Sequence, residues 1–498
     1  MVRPAIFLNL LILLLTIPAA RSVAQSEKAQ RADLQKYVEA EKYVLQQLAK
    51  GEIADLSVRF KEDEQKRILP ANFIEELLIN PRDSRIHRNG VLIAGARITG
   101  FLNLANTNVE NFVYLAQCQF DGVFFFQSEF RKGLTVSGST FSGYANFSYA
   151  TVMEGLMAND VKFSDPEQVA IFDYIKVNGP FSLEKSSFAG PVSLVYANVD
   201  GAFLVNDAQF LCQADAKTPC QDTKVSFNTM KIGSGFFAQG ASFERPVDLV
   251  NIRVNDNFEG ERSKFKQSAS FSMMKLGHNL FLSDAKFGDE VNLNRATVPG
   301  VIDFTRAEFQ RGKHPDLSNA TYLNIYPTLG ALDMIQESPS DYTAYTALEN
   351  CLQRNGFTSQ ADDVFMARKT FERKGLKPFD KIKSYLSQAF QGFGRIPQRV
   401  LYYDLGFIIL GAFIFRRKKM VLKKPSESTD ADTPEDSPPY NAFLYSLTLF
   451  APTIDNQYTN NWKPAASHRK TKWYMTVQKW AGYIFVPLTI GIWTGIFK

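Results

Sequence analysis

The sequence predicts a mainly β protein built on a parallel β-solenoid with 22-residue coils. Three observations carry that expectation. Phenylalanine is in excess, with 42 copies against 19 Tyr and 4 Trp in 498 residues, as when one structural slot is filled many times. A large apolar residue recurs every eleven positions through the middle of the chain. Small residues and glycines keep fixed offsets from it.

Stepping by eleven from Val177 gives Phe188, Val199, Phe210, Gln221, Ile232, Phe243, Val254, Phe265, Leu276, Phe287, Val298 and Phe309, with Gln221 the exception. From Phe243 onward Phe alternates with an aliphatic residue, so the full period is 22. Upstream, Ile98, Val109 and Phe120 keep the step, a ten-residue step leads to Phe130, and Phe141, Val152 and Phe163 follow. Three extra residues around Pro166 precede Val177.

Other columns share the phase. Positions four and six after each anchor are apolar, as at Val291 and Leu293. The position two before is small, as at Ala241, Ser263 and Ala285. Glycine recurs two after it, as at Gly122, Gly179 and Gly201. Offsets differing by two point to one side of a strand. Apolar offsets of 0, 4, 6 and 9 scatter around a helical wheel, which excludes an α-helix. A β-sandwich would not hold one phase through hairpin loops of varied length. Stacked at about 4.8 Å per coil, some ten coils make a rod of roughly 50 Å.

The units Ala241-Ser242-Phe243, Ala285-Lys286-Phe287 and Ala307-Glu308-Phe309 resemble those of the pentapeptide-repeat family over residues 90–312. The resemblance implies a right-handed, four-sided β-helix. This chain departs from the family in adding a residue to alternate units, so that sides of five and six residues alternate.

Element by element, residues 1–24 read as a signal peptide. Arg3 is its positive region, Ala5–Leu15 its apolar core, and Ser22-Val23-Ala24 its cleavage site before Gln25. Residues 25–89 read as a helical N-terminal cap. Leu34, Val38, Tyr43, Leu45 and Leu48 form one stripe ended by Gly51, and a second helix runs over 72–79. Its segments LAKGEIADLSVRF, RILPANFIEELL and HRNGVLIAGARITG resemble the entry region of bacterial membrane-linked pentapeptide-repeat proteins. Residues 313–395 read as a C-terminal cap and stalk. One helix carries Tyr342, Tyr345, Leu348 and Leu352 and is closed by Gly356, another carries Val364 and Phe365, and a third has Asp380 as its N-cap. The apolar face of that third helix, Ile382, Tyr385, Leu386, Ala389 and Phe390, rests on a bilayer surface or packs on the hairpin before it.

Residues 396–498 read as a membrane module with two transmembrane helices, about 396–415 and 480–497. The first contains one acid, Asp404, an intramembrane carboxylate and so a functional hint. Arg416, Arg417, Lys418 and Lys419 follow at once, a positive-inside topology signal. The Pro-, Ser- and acid-rich stretch 425–439 reads as a disordered cytoplasmic linker. The outline of span, short apolar segment Tyr440–Pro452, polar loop and span resembles a two-helix channel subunit. At the filter position, however, TIDNQYTNNW has no glycine. YSLTLFAPTID and Trp462-Lys463-Pro464 resemble degenerate relatives of such modules.

Four cysteines, Cys118, Cys212, Cys220 and Cys351, form no CxxC motif and no Cys/His cluster. In an exported chain the close pair Cys212 and Cys220 reads as a disulfide stapling a coil whose core is thin at Ala214, Ala216 and Gln221. No HExxH, P-loop, GxGxxG or GxSxG motif marks an enzyme, a metal or a cofactor site. A net charge of +5 is too small to imply nucleic acid. The expected function is a non-enzymatic, membrane-anchored extracytoplasmic scaffold in the inner membrane, with a protein partner or a second copy of itself and no small-molecule ligand. A channel or transport component is the alternative.

Overall fold

Strands of two residues separated by tight corners generate the fold of residues 39–361. The structure, a computed structural model, describes residues 39–80, 85–212, 219–328, 330–336, 341–396, 398–422, 439–451 and 457–494. The signal peptide, most of the linker and part of the filter loop expected from the sequence lie outside these residues. The chain divides into two units, 1–361 and 362–498.

In the first unit each short strand pairs in parallel with the strands one coil before and after it. Lys264–Phe265, for example, lies between Ser242–Phe243 and Lys286–Phe287. About ten coils stack with a spacing of about 22 residues, a parallel β-solenoid as expected. The alternation of Phe and aliphatic anchors is an alternation of two faces. Phe120, Phe141, Phe163, Phe188, Phe210, Phe243, Phe265, Phe287 and Phe309 form one ladder. Val152, Val177, Val199, Ile232, Val254 and Leu276 lie on the other. The Phe rings stack within 10° of parallel, with centroids 4.7–5.1 Å apart. That distance is the spacing between neighbouring strands, so one residue type repeated in register fills the core without gaps.

The corners explain the other columns. After the second inward residue the chain turns with an i to i+3 hydrogen bond, as from Ser186 N to Leu183 O (3.2 Å). The third residue of this turn is left-handed, as in a type II turn. Gly138 and Gly240 sit there, but so do Asp160, Tyr174, Lys185, Arg262 and Met273, each with φ between 55° and 59°. A left-handed L-residue costs about 1–2 kcal/mol. The ladder offsets this, because the N–H of each such residue donates to the next coil, as Tyr174 N does to Val195 O at 2.9 Å. The small slot follows the corner. At Ser139 and Ser186 the hydroxyl donates to the previous coil's carbonyl, to Leu115 O (3.0 Å) and Ala158 O (2.7 Å), whereas Ser263 Oγ donates within its own turn to Gly260 O (2.6 Å). The glycine two after the anchor answers a close approach: a Cβ on Gly179 would collide with the Glu154 carbonyl one coil away.

Coil length varies where the sequence slips. Phe120 pairs with Phe141, the short step, and Phe163 with Phe188, the coil that absorbs the three extra residues. One departure is larger. Val199 pairs with Ile232 and Phe210 with Phe243, each 33 residues apart. The eleven-residue phase through Gln221 is therefore no ladder at all. An insertion one half-coil long leaves after Phe210 and returns at Val225, which pairs directly with Val192. Gln221 is exposed. Of the positions expected to thin the core, Ala214 and Ala216 lie outside the described residues and Gln221 is on no ladder, while Val192 pairs with Val225 and Phe210 stacks on Phe243.

The ladders run from Ala54–Asp55 and Ile68–Pro70 to Thr321–Tyr326. At the leading end lies a helix over 39–50, α1, which buries Ala40, Val44 and Leu48. It ends on Gly51, in a Schellman arrangement with Gly51 N on Leu48 O and Glu52 N on Gln47 O. Two further helices follow, α2 (Leu56–Arg59) and α3 (Ala71–Ile79). Past the last coil come α4 (Ala331–Gln336) and α5 (Tyr342–Arg354). Arg354 and Asn355 bond to Leu323 O (2.8 Å) and Asn324 Oδ1 (2.6 Å), meeting polar groups that the final strand would otherwise leave open.

Helix α6 (Thr358–Arg373) leads into the second unit, which continues with α7 (Pro378–Gln391), α8 (Gln398–Ile414), α9 (Ala442–Phe450), α10 (Gln457–Asn461) and α11 (Arg469–Trp493). The N-cap of α7 is Lys377, not Asp380, because Pro378 is preorganised for the first helical position. The two expected transmembrane helices are corrected. Among the described residues no helix is long and apolar enough to cross a membrane. Seventeen residues of α8 span about 25 Å, short of a hydrocarbon core of about 30 Å. Helix α11 spends its first turns on Arg469, Lys470, Lys472 and Lys479, so only its later part is apolar. The short apolar segment forms α9, packed against both α8 and α11. Met420–Leu422 pairs antiparallel with Trp462–Pro464, clamping the end of α8 to the approach of α11.

Candidate interaction surfaces

Cys212 and Cys220 are joined by a disulfide, with Cα atoms 5.9 Å apart. The bridge lies wholly within the insertion. Beneath the two stems of this insertion sits Arg245, the largest fully buried side chain among the described residues at 1% exposure. Its Nε donates to Leu211 O (3.0 Å), one Nη to Ala189 O (3.0 Å), and the other to Thr223 Oγ1. It thus links three successive coils along one corner. Burial lowers its proton affinity, and Glu167 and Glu244 oppose that shift. Glu244 accepts from Cys212 N (2.9 Å) and from Lys266 Nζ (2.6 Å). Sequence reading missed Arg245. The available signal was the Phe phase, which keeps a 22-residue period through Phe188 and Phe210 and resumes half a period out of step at Phe243.

A second surface is aromatic. Tyr149, Tyr174 and Tyr196 occupy successive left-handed corners and stack at 4.6 and 4.9 Å while remaining exposed. Phe126 continues the row at 5.7 Å.

The outer faces carry charges paired along the axis. Lys266 with Glu244, Lys286 with Glu308 and Arg306 with Asp284 each join residues one coil apart, at 2.6–2.9 Å.

In the second unit, Asp404 lies on α8 and accepts from Thr489 Oγ1 of α11 at 2.6 Å. Its other oxygen is buried without a partner among the described residues, and burial raises the carboxyl above its usual range against the Thr489 bond. Nearby, Ser446 Oγ donates to Ile408 O (2.7 Å), and Gln478 Nε2 donates to Ser446 Oγ (2.7 Å), a buried polar link among α8, α9 and α11. Arg416, Arg417, Lys418 and Lys419 do not flank a membrane span. Arg417 stacks on Trp462 at 4.2 Å, beside a cluster of Phe415, Met420, Tyr445 and Trp462.

Helix α7 is inverted. Its polar side packs inward, where the buried Arg373 donates to Ser384 Oγ (2.9 Å) and Gln388 Oε1. Its apolar side faces out, with Phe379 68%, Ile382 57% and Leu386 51% exposed.

Among the described residues, no group of three or more His, Cys, Asp or Glu side chains could hold a metal ion. Cys118 is buried in a corner slot, which pushes its thiol up to about 12. No family model, no curated protein and no solved structure matches the chain.

Proposed function

We propose that the protein is a non-enzymatic scaffold, exported and held against a membrane surface, whose solenoid presents binding faces to a protein partner or a second copy. The observation that carries the membrane part is the inverted helix α7. A helix that turns Phe379, Ile382 and Leu386 outward, with Lys377, Lys381 and Lys383 along its length, has the composition of one lying in a lipid interface. This is attachment from one side. The channel alternative rested on two membrane spans and falls with them.

Export to the outer side of the inner membrane is supported by the Cys212–Cys220 disulfide, a bond that persists in oxidising compartments. The repeated small–Xaa–large corners support a place for the solenoid among pentapeptide-repeat proteins. The scaffold role itself is supported by the stacked Tyr149, Tyr174 and Tyr196, an exposed aromatic row of the kind found at protein interfaces.

The test is flotation of the full chain with liposomes containing anionic lipid. The wild type is expected in the lipid fraction, and an Ile382→Asp/Leu386→Asp variant in the protein fraction with an unchanged melting transition. A wild type that stays unbound, or a variant that floats equally, overturns the proposal.

A further inference from the structure

One column of cations breaks the pairing rule of the solenoid surface. On the outer side of the aliphatic ladder, Lys231, Arg253 and Lys275 are direct neighbours in register on successive coils. Asn198 precedes Lys231 and Lys176 precedes Asn198. All four cations are exposed, and none pairs with a carboxylate among the described residues. Like charges directly opposed on neighbouring strands repel. On the opposite face Lys264 and Lys286 are also neighbours, but there the next coil supplies Glu308, which pairs with Lys286. Here three cations stand in line at the strand spacing of about 4.8 Å.

The ground beside them is open and polar. Gly233 and Gly277 leave the adjoining column low, Asn255 stands between them, and Asp200 accepts from Asn198 Nδ2 at 3.1 Å. Lys231, Gly233, Arg253, Asn255, Asn198 and Asp200 line a shallow groove of about 310 Å³.

We infer that this face binds a linear acidic polysaccharide, a polymer with one carboxylate on each sugar, laid along the solenoid axis. The cations take the carboxylates and the asparagine amides take hydroxyls. Three features of the face select this class. A polyuronate carries both carboxylates and hydroxyls along its length, matching cations flanked by the amides of Asn198 and Asn255. An extended acidic peptide presents same-side carboxylates at roughly 6.6–6.8 Å, out of register with the ladder. Single-stranded nucleic acid binds by stacking bases on aromatic rings, and no aromatic residue stands between these cations. The inference does not depend on membrane attachment.

The experiment is isothermal titration of the full chain with soluble polygalacturonate at low salt. Fully methyl-esterified polygalacturonate, poly-L-glutamate and a single-stranded oligonucleotide serve as comparison ligands. The expected result is binding of the free acid but not of the ester, with poly-L-glutamate and the oligonucleotide weaker. A Lys231→Gln/Arg253→Gln/Lys275→Gln variant should bind at least about tenfold more weakly, and Arg253→Gln alone should fall between. A Lys162→Gln/Lys264→Gln variant removes exposed cations from the opposite face and should bind as the wild type does. Each variant is checked by its melting transition, and the single substitution keeps the test decisive if the triple variant unfolds. The inference is overturned by a wild type that does not bind, by undiminished binding in the cation variants, by an equal loss in the opposite-face variant, or by tighter binding of the peptide or oligonucleotide.

Discussion

Arg245 offers the sharpest measurement of how the insertion is built into the solenoid. Replacing it with methionine keeps the apolar stem and removes the guanidinium. Three hydrogen bonds are lost, to Leu211 O, Ala189 O and Thr223 Oγ1. Hydrogen bonds from a charged donor are worth about 1.5–3 kcal/mol each, which sets the gross loss at about 5–9 kcal/mol. Against this stands the relief of no longer burying a charge, several kcal/mol for an ion of this kind. Arg245→Met is therefore expected to cost about 2–4 kcal/mol in urea unfolding of the full chain.

The same substitution should become nearly silent when residues 212–222 are excised. That deletion returns the coil to 22 residues and leaves Leu211 joined to Thr223. The cross-link goes with the segment it closes, and shortening the chain changes loop-closure entropy by less than about 1 kcal/mol. With the insertion gone, the carbonyls of Leu211 and Ala189 face water, and Arg245 becomes a surface residue, for which substitutions cost within about 0.5 kcal/mol. The coupling between deletion and substitution should then be about 2–3 kcal/mol. An Arg245→Met cost that is equal in both backgrounds would refute the account of Arg245 as the support beneath the insertion.

Other outcomes follow from the same structure. Phe265 lies between Phe243 and Phe287, each at 5.0 Å, so Phe265→Ala should cost about 3–5 kcal/mol, read as a lower denaturation midpoint; a cost under 1 kcal/mol would mean the ladder is not the core. Reducing the Cys212–Cys220 bridge, which closes a separation of eight residues, should lower stability by up to about 2–3 kcal/mol, and mass spectrometry without reductant should recover the linked peptide. Cys118 should resist alkylation in the folded chain at pH 8 and react only on unfolding, since its thiol is buried and pushed up to about 12. Burial raises the Asp404 carboxyl above the usual carboxylate range, so its contribution to stability is fully present at low pH and is lost as pH rises through its folded value. Asp404→Asn should therefore flatten the decline in stability above the carboxylate range; an unchanged pH profile would show that this carboxyl is not titrating in the fold.

The second unit shows why hydropathy misled at the C-terminus. The apolar runs are real, but a span requires length as well as apolarity. Helix α8 runs only the seventeen residues Gln398–Ile414, and Lys479 stands only fourteen residues before the end of α11 at Trp493. Cross-strand pairing of Met420–Leu422 with Trp462–Pro464 is the feature that turns two apparent spans into one packed unit. Nothing in either tripeptide announces the other, because their contact joins positions some forty residues apart. Helix α7 was legible as amphipathic, but which side packs inward was not. That choice is made by Arg373, whose hydrogen bonds to Ser384 and Gln388 draw the polar side in.

The solenoid was legible for a physical reason, and its insertion was hidden by that same reason. In-register parallel stacking forces every coil to repeat the same inward slots, so the sequence carries a period set by coil geometry. An insertion normally shifts that phase, as the three residues around Pro166 do. An insertion of eleven residues shifts it by half a coil, and opposite faces of a four-sided coil have the same pattern of small, large and apolar slots. The phase therefore survives and only the identity of the face changes. The faces differ in one respect, since one stacks phenylalanine and the other aliphatic side chains. Phe188 and Phe210 lie 22 apart, as do Phe243 and Phe265, but Phe210 and Phe243 lie 33 apart. Ring-on-ring stacking makes an aliphatic residue within the Phe ladder a poor fit, so the chain had to insert a whole half-coil and then return to the same face.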